Sequence, residues 1–491
     1  MKQQNPDAYN NPEFWESTEE LIEVHSDPFW DQLPILQQIR DWSCYHQRNP
    51  WGVLMVMIAR IGFLISPHVL VDGRLDDDDD PGKLSPLNFY VCGTAASGAG
   101  KGVIENSVRA MIPDPEGIRS NDSNAAITSG EGMKSFYGHM QQDRDDGEFH
   151  MQMSTIRQWV SIAEISTLTG NAYRSGSIIE GTLNEAWSGS MLCQANADKA
   201  KQVIVPRNAY RLCVYVCAQP ARAGWITSAD GSGLSQRFLW CPITILTPDR
   251  MPDIRVPMPK INPKRLPREL SRSTWERAYR DGKAPEPLII KHPDAYRHAA
   301  YQLQNQAAKN PYATRNNSHS VQMQLRIAAV MQLALMMDKA SNDSFVISDE
   351  AWELAGSVMS CSARQLNGFI QAVHDAEAKD QADKLATQKQ AQDEADDLYH
   401  QRRYEQVSNS IIKYLLKNDV TYSGKTGSKI RKALTSSRRS LFDVVIMRMF
   451  ESGIVDRLGS DTGKQVDACW ALNADWIAKH KKEVQILCSK Y

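Results

Sequence analysis

Apolar residues recur at helical spacing over residues 34–46 and 50–64. Ile35, Ile39 and Trp42 are followed by Val53, Val56, Met57 and Ile61, so a helical lead-in packed against a core is expected. The apolar stretch 51–71 mimics a membrane span, but Arg60, Pro67 and His68 interrupt it. A mid-span arginine costs about 3 kcal/mol even on lenient scales, so a buried helix is the better reading. From 87 to 242 short apolar runs alternate with helical segments, as an α/β sheet requires, with candidate strands at 87–92, 159–165, 211–218 and 237–241. Beyond the proline-rich crossing 248–267, residues 320–337 and 348–369 carry a helical apolar period. Residues 371–405 contain no Gly or Pro and are rich in Ala, Gln, Asp, Glu and Lys. They read as a long exposed helix between domains, with a short coiled coil as the rival.

Three further helices, 407–416, 428–434 and 437–450, precede a strand pair, 454–458 and 466–472, around the turn 459–463. That is winged-helix order. The third helix opens on Ser436, Ser437, Arg438, Arg439 and Ser440, a set suited to phosphates or a major groove. Lys425, Lys429, Arg431 and Lys432 precede it, and Arg457 and Lys464 mark the wing. DNA is the expected partner of this patch; the rival is a module for protein contacts with ordinary solvated basic ends.

Charge sharpens this picture, because the whole-chain net of -2 conceals an uneven distribution. Residues 402–491 carry about +8 by residue count, leaving an acidic body. At 491 residues, two or three domains are expected, and 42% hydrophobic with 23% charged composition is that of a folded protein. Most of the nine cysteines sit in apolar runs such as 212–217 and read as reduced thiols of a cytoplasmic protein. No second Cys/His pair follows Cys213 and Cys217 at zinc spacing, so no metal site is assigned. The first residues lack the apolar core of a signal peptide, and no membrane partner is expected. The aspartate run 76–80 should be a solvated loop.

The candidate chemistry begins where the strand at 87–92 runs into Gly93-Thr94-Ala95-Ala96-Ser97-Gly98-Ala99-Gly100-Lys101-Gly102 and then into a helical segment. Strand, small-residue loop ending in Gly-Lys, and helix start form the context of a phosphate-binding loop. Ser97, Gly98, Ala99, Gly100, Lys101 and Gly102 would surround a nucleotide, the backbone N–H groups closing on phosphate oxygens and Lys101 reaching the β/γ-phosphates. Ala95 replaces the usual first glycine, and Gly102 replaces the Mg²⁺-binding Ser or Thr. Glu164, near the end of the next candidate strand, would polarise an attacking water, although Ala163 replaces the aspartate that usually precedes it. Gln219, at the tip of the third strand, reads as a γ-phosphate sensor or as a turn residue. Arg237, before the fourth, reads as a finger entering a neighbouring subunit or as a salt-bridge residue.

The order of these motifs resembles the helicase-like P-loop ATPases encoded by phages, plasmids and integrative elements. The resemblance is carried by residues 29–40, 50–60, 85–89 and 97–102, by Glu164, by 184–189, by Gln219-Pro220 and by 233–239, and it covers about 29–366. It implies ATP with Mg²⁺, DNA as substrate, and a homo-oligomer such as a hexameric ring. It also implies a RecA/AAA+-like P-loop NTPase core of the α/β class with a helical lead-in, a helical subdomain and a C-terminal winged helix. The expected division is 1–84 arm and lead-in, 85–250 core, 251–370 helical subdomain, 371–405 linker and 406–491 DNA-binding domain. Arg326 falls in the helical subdomain, where it contacts the nucleotide or, as the plainer reading, sits at a core edge. The expected activity is that of an ATP-driven helicase or replication-initiation motor; the alternative is a nucleotide-gated DNA-binding assembly factor with slow hydrolysis.

Overall fold

The chain enters its first core through α1 (Pro34–Tyr45) and α2 (Pro50–Leu64). Asn49 caps α2 by accepting from the Trp51 N–H, with Pro50 at the first helical position. Every residue of α2 is buried, as expected for a helix apolar on all faces. Gly52 lets it approach the Pro242 carbonyl so closely that a Cβ would collide. The computed structural model describes residues 23–488 apart from 25, 76–82, 95–100, 115–126, 145–146, 195–197, 221–222, 228–232, 244–255, 263–265, 310–318, 337–344 and 460–463. The aspartate run lies outside the described residues. No helix among them is long and apolar enough to cross a membrane.

After α2 come β1 (Val69–Asp72), β2 (Leu84–Pro86), β3 (Tyr90–Thr94), α3 (Lys101–Met111) and α4 (Gly130–Lys134). The hairpin β4 (Gly138–Gln142) and β5 (Phe149–Met153) precedes β6 (Arg157–Ile162), α5 (Ile165–Ala172) and α6 (Ile179–Trp187). A second hairpin, β7 (Leu192–Gln194) and β8 (Val203–Val205), leads to β9 (Arg211–Ala218), α7 (Gly224–Thr227) and β10 (Phe238–Pro242). The central sheet has the order β10-β3-β9-β6 and is parallel throughout. β3 and β9 are buried along their whole length, which is why they read as continuous apolar runs.

Two boundaries differ from expectation for a physical reason. Residues 87–89 are not strand, because Asn88 uses its side chain to bridge the Leu212 N–H (3.2 Å) and the Ala186 carbonyl (2.7 Å). β6 ends at Ile162 because Glu164 takes the N-cap position of α5, making Ile165 helical. The two hairpins were invisible to apolar alternation, since strands such as Gly138–Gln142 are mostly polar and exposed.

The remainder of this unit is α8 (Arg272–Asp281), β11 (Leu288–Ile290), α9 (Asp294–Lys309), α10 (Ser320–Ala334) and the start of α11 (Asp349–Asn418). β11, β1 and β2 form a separate three-stranded sheet. Residues 1–377 and 378–491 form two units, with their own cores, and the boundary falls inside the 70-residue α11.

The carbonyls of Phe63 and Leu64 at the end of α2, and of Ile65, Ser66 and Val69 just beyond it, belong to buried residues that water cannot reach. Two arginines that pair in register at the starts of β6 and β9 satisfy them. Arg157 donates to the Phe63 (3.0 Å) and Leu64 (3.2 Å) carbonyls. Arg211, fully buried, donates to Ile65 (3.2 Å), Ser66 (2.9 Å) and Val69 (2.6 Å). Glu269 pairs with Arg157 and accepts from the Ser66 hydroxyl (2.6 Å) and the Trp275 indole (3.0 Å). Burial alone would raise the Glu269 carboxyl pKa; the Arg157 charge and these hydrogen bonds outweigh it and leave the pKa below its ordinary value.

In the second unit, α11 ends on a buried stripe of Val407, Ile411, Ile412 and Leu415. It is followed by β12 (Lys425–Thr426), α12 (Gly427–Ala433), α13 (Ser436–Arg439), α14 (Phe442–Glu451), β13 (Val455–Leu458) and β14 (Cys469–Leu472). The three strands are antiparallel in the order β12-β14-β13. The single helix expected at 437–450 is broken at Ser440-Leu441, and α14 turns Phe442, Val445, Ile446 and Met449 into the core. Two helices not expected from the sequence, α15 (Ala474–Lys479) and α16 (Lys481–Cys488), close the unit.

Arg211→Met should lower the unfolding free energy by about 3–5 kcal/mol, read as a reduced urea midpoint, because three carbonyls lose a charged donor. The Glu269 pKa is depressed on folding, so its stabilisation is complete above the unfolded value of about 4.3 and is lost as pH falls through the folded value. Urea titrations across pH 2–6 should therefore show an acid limb that is shallower in Glu269→Gln.

Candidate functional site

A parallel sheet gathers the ends of its strands at one edge, and ligands of open α/β sheets sit outside the carboxyl ends where strand order reverses. That reversal is at β3: the chain leaves it toward β6 on one side, and β9 later crosses to β10 on the other. Residues 95–100 follow the carboxyl end of β3, and Lys101 opens α3. Ser97, Gly98, Ala99 and Gly100 lie outside the described residues. Gly102 is exposed, and a Cβ there would meet nothing within 4 Å. The amino end of α2 reaches the same edge, where the Asn49 N–H donates to the Ile243 carbonyl at 3.1 Å.

Glu164 and Gln219 follow the ends of two neighbouring strands and meet. The Gln219 amide donates to Glu164 Oε2 at 3.1 Å, and both residues are half-buried. At the tip of β3 the Thr94 hydroxyl donates to the Cys241 carbonyl (3.1 Å) and accepts from the Gln365 amide of α11 (2.5 Å). Glu105, one turn into α3, is buried and accepts from the Trp159 indole (2.7 Å), the Ser161 hydroxyl (2.5 Å) and Arg109 (3.0 Å). These bonds fasten the helix after the loop to the strand that ends toward Glu164.

The donor set for a divalent ion is thin. Gly102 and the exposed Ala163 carry no side-chain oxygen, and the oxygens of Glu105 are committed to protein donors. Among the described residues no group of three or more His, Cys, Asp or Glu is placed to hold a metal. Mg²⁺ commonly rests on one carboxylate with water and substrate phosphates. Glu164 fits that role; a site made of protein ligands alone does not.

Arg237 is not brought to this edge. It precedes β10, whose first residue is in register with Tyr90, so it lies at the amino end of the sheet, about 17 Å from the loop by strand rise. Its guanidinium lies 5.5 Å from the Trp187 ring centroid, and burial lowers its pKa. Arg326 stacks on the same ring at 3.6 Å and donates to the Ser85 hydroxyl (2.8 Å) and to the Asn88 (2.9 Å) and Trp187 (3.0 Å) carbonyls. Fully buried, it is a core residue, in line with the plainer of its two readings and not with nucleotide contact. His319 packs edge-on to Trp187, and burial with the charges of Arg237 and Arg326 pushes its pKa down to about 4.

In the second unit the guanidiniums expected to face a groove are tied to the protein. Arg439 donates to the Leu434 (2.9 Å) and Lys432 (2.9 Å) carbonyls, closing the end of α12, while Arg431 donates to the Arg439 carbonyl (3.2 Å). Arg438 donates to the Ser410 hydroxyl at 3.0 Å. Arg457 lies 5.7 Å from the Trp470 ring centroid, and Lys425 is half-buried at the start of β12. Lys429, Lys432 and Lys464 are exposed without ion pairs among the described residues. The outer face of α14 presents Asp443, Val444, Arg448 and Glu451, a mixed surface.

Comparison with known proteins finds no family model that matches the chain, and no curated protein matches it. The site residues missed in the sequence are Thr94, Glu105 and Gln365. Gln365 is 271 residues from its partner, a separation at which no local pattern gives a signal. Glu105→Gln should cost about 2–3 kcal/mol of stability, because an amide cannot accept from all three donors. A fall in the thermal midpoint, with altered Trp159 emission, checks it.

Proposed function

We propose that residues 1–377 form a P-loop NTPase that binds ATP with Mg²⁺ at the carboxyl edge of the central sheet. The observation that carries this reading is the Gln219–Glu164 hydrogen bond, formed beside the strand that leads into the Gly-Lys segment. Support comes also from the all-parallel sheet, the strand β3 and helix α3 on either side of residues 95–100, and the resemblance to helicase-like ATPases of phages, plasmids and integrative elements. On this reading the loop amides and Lys101 hold the triphosphate. When bound, Mg²⁺ neutralises charge on the phosphates, with Glu164 the carboxylate nearest to hand. In the absence of a γ-phosphate the Gln219 amide is spent on Glu164. A γ-phosphate oxygen competes for that amide, and the released Glu164 carboxylate accepts a proton from the water as its oxygen bonds to the γ-phosphorus and the bond to the bridging oxygen breaks, releasing ADP and phosphate.

In the second unit, helix, strand, three helices and a hairpin with the strand order β12-β14-β13 favour a winged helix. We assign DNA as its partner through Lys429, Lys432 and Lys464, with Arg438 and Arg439 shaping the fold. The whole chain is then a cytoplasmic, oligomeric DNA motor, in which Arg237 serves a neighbouring subunit only after leaving Trp187. The missing side-chain oxygens at Gly102 and Ala163 favour a second reading, in which nucleotide gates DNA binding and turnover is slow.

DNA-stimulated phosphate release separates the two. In the motor, Glu164→Gln should lower the rate by about 100-fold or more while keeping nucleotide affinity, and Lys101→Ala should weaken ATP binding at least about tenfold. An unstimulated rate that Glu164→Gln leaves unchanged would leave the gated reading alone standing. ATP binding indifferent to Lys101→Ala would remove both.

A further inference from the structure

The turn between α5 and α6 has no part in the chemistry above, yet its composition is unusual for a surface bend. Residues 173–178 are all exposed. Tyr173 is 68% exposed, Ile178 is 46% exposed, and between them stand Arg174, Ser175, Gly176 and Ser177. No carboxylate occurs within 173–178, and Arg174 makes no ion pair among the described residues. Gly176 has φ +77, a left-handed conformation that glycine adopts at the bend without strain.

We propose that this turn is a contact for single-stranded nucleic acid, Tyr173 stacking on a base while Arg174 and the serine hydroxyls meet the adjoining phosphates. The proposal rests on the nucleic-acid reading above. An exposed ring beside an unpaired cation and hydroxyls is the pairing that single strands use, since every base has a π-face and every nucleotide a phosphate. A protein partner would need a broader apolar surface than Tyr173 and Ile178 supply. The position adds a consequence: α5 has Glu164 at its N-cap and Tyr173 at its C-cap, so eight helical residues separate the turn from the Gln219–Glu164 pair. A strand held at the turn biases that pair through one rigid element.

The test uses the full chain, a fluorescein-labelled oligothymidylate read by anisotropy, and a fluorescent ATP analogue. Tyr173→Ala should weaken strand binding about tenfold, within the range of one lost base stack, while Tyr173→Phe retains it. Arg174→Ala should reduce the slope of log affinity against log salt by about 0.7, the value for one phosphate of a single strand. Both variants should bind the ATP analogue as the wild type does, which shows that they fold. Equal strand binding by wild type, Tyr173→Ala and Arg174→Ala overturns the turn assignment alone. A wild type that binds the analogue but no strand removes the nucleic-acid reading with it. Loss of self-association with strand binding intact makes the turn a protein contact and overturns the proposal.

Discussion

The first unit depends on how the end of α2 is closed. A wholly buried helix leaves final carbonyls unpaired in a medium without water; here Arg157 supplies donors to the last two carbonyls of α2 and Arg211 to those just beyond it, from the first positions of two adjacent strands. The same contacts lock helix and sheet in one direction, with the amino ends of β6 and β9 at the carboxyl end of α2. Its amino end, the strand tips and the start of α3 therefore share the opposite edge. Two cations side by side would repel; Glu269 offsets them and ties in Ser66 and Trp275. The cluster is thus a matched set, in which loss of any member leaves charge or carbonyl oxygen stranded.

At the shared edge the side chains are economical. Glu164 is held by Gln219, and Thr94 by Cys241 and Gln365, while Glu105 is withdrawn into the packing of α3. Among the described residues at this edge, Glu164 Oε2, the Thr94 hydroxyl and both oxygens of Glu105 are engaged by the protein. The proposed mechanism works by exchange: one bond within the chain is traded for a bond to phosphate. That makes occupancy of the loop and the freedom of Glu164 a single equilibrium, and it applies equally to a motor and to a slow gate.

Much of the architecture was legible in the pattern of apolar positions, because buried parallel strands and all-apolar helices are the elements least dependent on distant partners. β9 was expected over 211–218 and is found at Arg211–Ala218. The polar hairpins were not legible, since Gly138–Gln142 has neither alternation nor a run. Of the site, Glu164 and Gln219 were singled out one by one, but their contact depends on strand order, which no spacing encodes. For Arg326 the choice between nucleotide contact and a core edge stayed open, because nothing local reveals that Trp187, Ser85 and Asn88 enclose it. The intrachain bonds of Arg438 and Arg439 were not legible for a related reason: they depend on the break at Ser440-Leu441, which a basic helix start does not announce.

Residues 377–402 of α11 are exposed on every side. They are held by backbone bonds and by short-range pairs such as Lys384 with Asp380 at 2.6 Å and Gln390 with Glu394 at 3.1 Å. No packing is forfeited when this stretch opens, so its local unfolding draws on helical cooperativity alone. Its amides should be among the first in the chain to trade hydrogen for deuterium, and a trace of protease should nick it there, leaving each flanking core to melt on its own schedule.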